Sequence, residues 1–136
     1  MGDGGLRAAY ERYLECLDRR DLDRLHEHVG EEVQHNGRRL GLPGYRRKLE
    51  DDFARIPDLT FGLDFLVAER DRVAARLVFD CTPGGDLFGA PVDGRRVTFS
   101  EHVFYRYVDG RIAEVHSLLD VDAVREQVRA AGRSAT

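Results

Sequence analysis

The sequence predicts an α+β domain in which N-terminal helices pack on a curved antiparallel sheet. Two observations carry that expectation. Apolar residues recur at helical spacing through the first part of the chain, and from Leu59 onward they alternate with polar ones at a period of two. A third is the presence of Gly, Pro and Asp between the alternating segments, where tight turns need them. A chain of 136 residues can bury one sizeable core, so a single domain over 1–136 is expected, with 1–5 and 132–136 as frayed tails.

Leu6, Tyr10, Tyr13, Leu14 and Leu17 form one stripe opposed by Arg and Glu, which sets a helix over residues 6–17. After the charged turn DRRD, Asp21 is placed to cap a second short helix with Leu22, Leu25 and Val29 on its inner side. Glu32-Val33-Gln34-His35 is short and mixed, and it leads into the turn signal Asn36-Gly37. Pro43 suits the first turn of a third helix that buries Tyr45, Leu49, Phe53 and Ile56 and stops at Pro57-Asp58.

Four strands follow, in LTFGLDFLVAE, RVAARLVFDC, RRVTFSEHVFYRYV and RIAEVHSLL. The connections Glu69-Arg70-Asp71 and Asp109-Gly110 are short enough for hairpins, so the strands form an antiparallel meander. Between the second and third strands, TPGGDLFGAPVDG is long and glycine-rich, and reads either as a surface loop or as a lid over a cavity. A last helix from Val121 turns Val124, Val128 and Ala131 inward, with Asp120 as its cap.

Composition excludes several classes of function. A hydrophobic fraction of 42% beside 34% charged residues is that of a globular chain, with no apolar run long enough to span a bilayer. MGDGGLRAAYERYLE lacks the parts of an export signal, so a cytoplasmic location is expected. Cys16 and Cys81 have no metal-ligand spacing and read as small buried hydrophobes. A net charge of −4 without a basic stripe argues against a nucleic-acid partner. No phosphate loop, Ser-His-Asp order or nucleotide fingerprint is present, so no cofactor is expected. His26 and His28, interleaved with Glu27, have the spacing of a solvated face, and no metal site is expected either.

HNG at 35–37, IPDL at 56–59, FGAPVDGRRV at 88–97 and YVDGRIAEV at 107–115, in this order of elements, resemble the SnoaL-like polyketide cyclases and ester cyclases over nearly the whole chain. The resemblance implies the cone-shaped fold named for nuclear transport factor 2, with an internal cavity for a small molecule, and a homodimer. It also places the family's catalytic histidine and aspartate on Val103 and Ser117. Valine supplies no base, and serine is a poor one unaided. His102 and His116 stand one residue away, which on an ideal strand is the opposite face; only a β-bulge would return them to the cavity.

The candidate catalytic residues are His35, Asp80 and Glu101. His35, just before a turn, is a histidine at the position where the family often has one facing the cavity mouth; a loop-bracing role is its alternative. Arg76 and Asp80 share a strand face and form either a charged pair inside the cone or a solvated one. If Arg76, Asp80 and Glu101 all point inward, their interaction poises one carboxylate as a proton acceptor. Glu101 shares strand parity with Val103, Tyr105 and Tyr107, a face suited to a flat, partly apolar ligand, although aromatics on a strand are often plain core. Asn36, Arg76, Tyr105, Ser117, His116 and His102 complete the set as substrate-binding candidates. His116 falls where the family usually has a packing tryptophan, and Asn36 also suits a left-handed turn.

The leading expectation is cofactor-free acid/base chemistry, a cyclisation, isomerisation or hydrolysis, on a small carbonyl or polyketide-like substrate. The alternatives are a non-catalytic dimeric binder and an epoxide-opening enzyme built on Arg76 and Asp80.

Overall fold

A computed structural model describes residues 3–134. The first helix, α1 (Asp3–Asp18), buries Leu6, Tyr10, Tyr13, Leu14 and Leu17, the stripe its spacing predicts. It starts at Asp3, and the last helix, α3 (Val121–Ser134), runs to Ser134, so residues 3–5 and 132–134 are helical rather than frayed; the rest of those expected tails, 1–2 and 135–136, lies outside the described residues. The second helix is a 3-10 turn, Leu22–Glu27. Asp21 occupies its cap position but makes no side-chain cap bond there, and the turn is held by burial of Leu22 and Leu25. On α2 (Gly41–Arg55) Tyr45 and Leu49 are buried, with Ile56 buried just past its end.

The sheet has six strands where the periodicity marks four. In chain order they are β1 (Val29–His35), β2 (Arg38–Arg39), β3 (Gly62–Glu69), β4 (Arg72–Cys81), then after a separate ribbon of β5 (Asp86–Leu87) and β6 (Ala90–Pro91), β7 (Val97–Val108) and β8 (Arg111–Leu119). Spatial order is β2-β1-β8-β7-β4-β3. β3, β4, β7 and β8 form the expected meander, but β1 pairs with β8 in parallel, so the sheet is mixed rather than antiparallel. Val29 belongs to β1 and not to the preceding helix. At the β7–β8 turn, Asp109 and Gly110 both take positive φ, 51° and 79°, the geometry a tight hairpin requires.

The helices cover one face of the sheet, which curls around them. On β4 that inner face is Val73, Ala75, Leu77, Phe79 and Cys81, and on β7 it includes Val97, Phe99, Val103, Tyr105 and Tyr107, all buried. Cys16 and Cys81 are buried free thiols. The 82–94 segment is no plain surface loop: its ribbon turns Leu87, Ala90 and Val92 into the core. On α3 Val124 is fully buried and Val128 partly so, whereas Ala131, expected inside, is exposed because the helix there has passed the edge of the core. The Asp120 carboxylate accepts from the Ala123 N–H at 3.1 Å and caps this helix as expected. No described helix is long and apolar enough to cross a membrane.

Candidate active site

Between the curved sheet and the helices lies a cavity of about 250 Å³. One end is aromatic. Phe61, Phe79, Phe99 and Phe88 meet ring to ring, with centroids 5.1–5.5 Å apart and mostly edge-to-face, an apolar wall suited to a flat ring system. Polar groups reach the cavity between aliphatic side chains such as Leu49, Ile56 and Val115: Tyr13 from α1, Tyr45, Lys48, Asp52 and Arg55 from α2, His35 from β1, and Glu101 and Tyr105 from β7.

Glu101, half-buried, is the acid that the sheet brings to this cavity. Its carboxylate accepts a hydrogen bond from Ser117 Oγ, across the ladder on β8. Burial raises its pKa above the ordinary value, against the lowering effects of the Ser117 bond and of Lys48. His35 shifts the other way. Burial, then the charge of Lys48 and of His116, lowers its pKa to about 4, so its imidazole is neutral at neutral pH. A carboxyl that resists losing its proton and an imidazole that resists gaining one therefore face one small chamber.

The phenols are held as neutral donors. Tyr13 Oη and Tyr45 Oη lie 2.7 Å apart, and Tyr10 donates to Tyr105 Oη at 3.2 Å. Burial pushes the pKa of each well above the ordinary tyrosine value. In the Tyr13–Tyr45 pair one hydroxyl donates to the other, which leaves the second hydroxyl's proton free to turn toward an occupant. All five tyrosines of the chain, at 10, 13, 45, 105 and 107, are buried around this region.

Asn36 does its work on the backbone. Its residue sits at φ 50°, in the left-handed region asparagine tolerates, and its amide clamps β8: Oδ1 accepts from Ser117 N–H at 2.7 Å and Nδ2 donates to Ser117 C=O at 3.3 Å. The clamp fixes the residue whose hydroxyl meets Glu101. Ser117 thus braces the acid, and Val103, directly opposite it in the ladder, is buried hydrocarbon.

Four expected site residues lie on the other side of the sheet. The register sets Leu77 opposite Glu101 and Arg76 opposite His102, so Arg76 and Glu101 point to opposite faces. Arg76 pairs with Asp64 at 2.7 Å, and Asp80 accepts from Arg96 Nε at 2.7 Å, both on the convex surface. Arg96 and its hydrogen bonds hold the Asp80 carboxyl below its usual pKa, the reverse of a poised base. His102 is exposed, and His116, half-exposed, lies 3.7 Å from Glu114. No bulge turns them inward: the β7–β8 ladder slips where Arg106 and Tyr107 face Glu114 and Ile112, which leaves Ala113 as the extra residue on β8, away from both histidines. The epoxide-opening pair of Arg76 and Asp80 is therefore not part of this cavity.

Tyr13, Tyr45, Lys48, Asp52 and Arg55 are the polar lining residues that sequence reasoning did not pick out. One signal was present, since Lys48 and Asp52 fall inside the apolar stripe of Tyr45, Leu49 and Ile56 on α2, where a filled core excludes charge. Among the described residues, no group of three or more His, Cys, Asp or Glu is placed to hold a metal ion.

A curled mixed sheet closed by helices over a polar-ended cavity defines the nuclear transport factor 2-like class of small-molecule pockets. Within that class the profile of SnoaL-like polyketide cyclases matches residues 7–128, and the chain belongs to that family. The crystal structure of a SnoaL-like polyketide cyclase from Agrobacterium tumefaciens strain C58 is 47% identical, with a TM-score of 0.89 over 90% of this chain and 97% of that one. TsrD from Streptomyces laurentii (24% identity, TM-score 0.82, 94% and 97% covered) and wild-type IdmH from Streptomyces antibioticus (22%, 0.78, 90% and 97%) share the fold. No curated protein sequence matches the chain.

Proposed function

We propose that the protein is a cofactor-free cyclase or isomerase that moves a proton beside a carbonyl group of a small, flat, largely apolar substrate. The observation that carries this reading is Glu101, a carboxyl with a raised pKa that lines the cavity and takes one hydrogen bond from Ser117. A base with such a pKa is better matched to a carbon acid than an ordinary glutamate is. In its ionised form it takes the proton α to the carbonyl. The free hydroxyl of the Tyr13–Tyr45 pair and neutral His35 donate to the enolate oxygen as charge develops there. The enolate carbon then either adds to a second carbonyl of the same molecule, whose π electrons become an alkoxide that takes the proton back from Glu101, or is itself reprotonated by Glu101 at a new position.

By resemblance the family's histidine and aspartate fall on Val103 and Ser117 here, so the acid stands not on β8 but on β7, on the same face as Val103, with Ser117 as its hydrogen-bond donor. The same substitution supports a second reading, a binder without chemistry. Proton exchange separates the two. The protein should catalyse loss of the α-hydrogens of a bicyclic aryl ketone such as 2-tetralone in D2O, followed by proton NMR, and Glu101→Gln should abolish the acceleration. Saturable binding of the ketone with no acceleration above buffer refutes the catalytic reading and leaves the binder.

The convex face supports a homodimer. Phe65, Val67, Phe104, Val108 and Leu118 are 45–75% exposed there, interspersed with the Arg106–Glu114 and Arg76–Asp64 pairs. A sheet face this apolar, with ion pairs set among its hydrocarbon, fits a second copy of itself.

A further inference from the structure

The cavity opens into a wider groove of about 680 Å³, and His35, Lys48, Asp52 and Arg55 line both. The groove also carries Arg38 from β2 and Arg47 from α2, so four permanent cations face two carboxylates, Asp51 and Asp52, in a chain whose net charge is −4. Lys48 and Asp52 neutralise each other at 3.2 Å. Arg55 donates to the Asp86 carbonyl at 2.8 Å, which orients it without cancelling its charge.

The neighbouring arginines provide an internal comparison. Arg39, next to Arg38, is ion-paired with Glu32, and Arg46, next to Arg47, is ion-paired with Asp23 at 2.9 Å. Arg38 and Arg47, the members of each pair that face the groove, have no side-chain partner among the described residues. A folded chain with more acids than bases thus leaves two guanidinium groups unpaired at the entrance to its cavity. Guanidinium is the side chain whose fork matches an oxyanion in two-point contact.

We infer that this groove binds an oxyanion, a carboxylate or phosphate, borne on the part of the substrate that projects from the cavity. The inference rests on the cavity being the substrate site, and it defines the substrate class further: an apolar ring system for the aromatic end, a carbonyl near Glu101, and an anionic tail between Arg38 and Arg47. Neither arginine touches the reacting atoms. Their role is to hold and orient one end of the molecule, so that the α-carbon stays beside Glu101.

The test uses three probes on one ring system: 4-(2-naphthyl)butanoate, its methyl ester, and 3-(2-naphthyl)propyl phosphate. Binding is measured by calorimetry at low and high salt. The expected result is that at least one anion binds roughly tenfold tighter than the ester at low salt and that added salt erodes the preference. Arg38→Gln and Arg47→Gln should each reduce it by up to about fivefold, while Arg39→Gln and Arg46→Gln leave it intact. A preference for the carboxylate over the phosphate, or the reverse, assigns the source of the anion. Equal or weaker binding of both anions, no detectable binding of either, or equal losses in the Arg39 and Arg46 variants overturns the inference. Glu101→Gln separates it from the catalytic reading: the preference must survive in that variant, whether or not Glu101 proves to move protons.

Discussion

Replacing Glu101 with glutamine should stabilise the fold at neutral pH while removing proton transfer, two effects of opposite sign. An ionised carboxylate offers about four acceptor positions, and Ser117 Oγ fills one. The nearest cation, Lys48, is shared with Asp52 at 3.2 Å. Burial therefore outweighs the groups that favour ionisation, and the pKa lies above the ordinary 4.5. The sign follows from linkage. The native state holds this proton more tightly than the unfolded chain, so the stability contributed by Glu101 is complete below pH 4.5 and is lost as pH rises through the raised native value. Glutamine keeps the shape and the acceptor for Ser117 but cannot ionise. At pH 7 it should add about 1 kcal/mol, the lower end of the desolvation penalty of a buried polar group. In a domain of this size that raises Tm by about 4 °C. The gain should vanish near pH 4. Losing a general base should cost about 10²- to 10⁴-fold in α-proton exchange. Thermal unfolding followed by circular dichroism from pH 4 to 7.5, beside the exchange assay, measures both. A glutamine variant less stable than the parent at pH 7 would show that the carboxylate is fully satisfied and not poised.

His35 obeys the opposite linkage: its native pKa of about 4 lies below the ordinary 6.5, so its contribution is present above 6.5 and is lost as pH falls toward 4. His35→Gln should flatten this part of the stability curve by about 1 kcal/mol, discounted for partial exposure, in chemical denaturation at pH 5 against pH 7.5. Arg76→Gln and Asp80→Asn, on the convex face, should leave exchange within about twofold and stability within about 0.5 kcal/mol; a loss of activity comparable to that of Glu101→Gln would contradict the register. Leu118→Glu should convert a dimer to a monomer in sedimentation velocity, and a parent protein already monomeric at high concentration would refute the proposed interface.

Much of this architecture is legible from periodicity, because the core stripe of α1 and the alternation of β4, β7 and β8 each answer to one buried face. Parity along β7 correctly groups Glu101 with Tyr105. Parity between strands was legible too, but less directly. On β4 an unbroken apolar set, Val73, Ala75, Leu77, Phe79 and Cys81, alternates against Arg76 and Asp80, and that set claims the inside. β1 escapes a local reading because only Val29, Val33 and His35 face inward, and its pairing comes from β8, far along the chain. Tyr13 and Tyr45 look like ordinary core for a simpler reason: an apolar stripe shows which way a helix faces, not whether the space it faces is full. The clamp of Asn36 on Ser117 depends on that long-range parallel pairing, so no local pattern announces it.

The chain contains no tryptophan, and every one of its tyrosines sits within the phenol cluster or close to it. Its near-ultraviolet emission therefore originates almost wholly from rings beside the chamber, without a brighter indole elsewhere to mask them. A molecule entering the chamber will quench or accept that light, and the unlabelled protein can be screened against compound libraries by its own glow before any reaction is known.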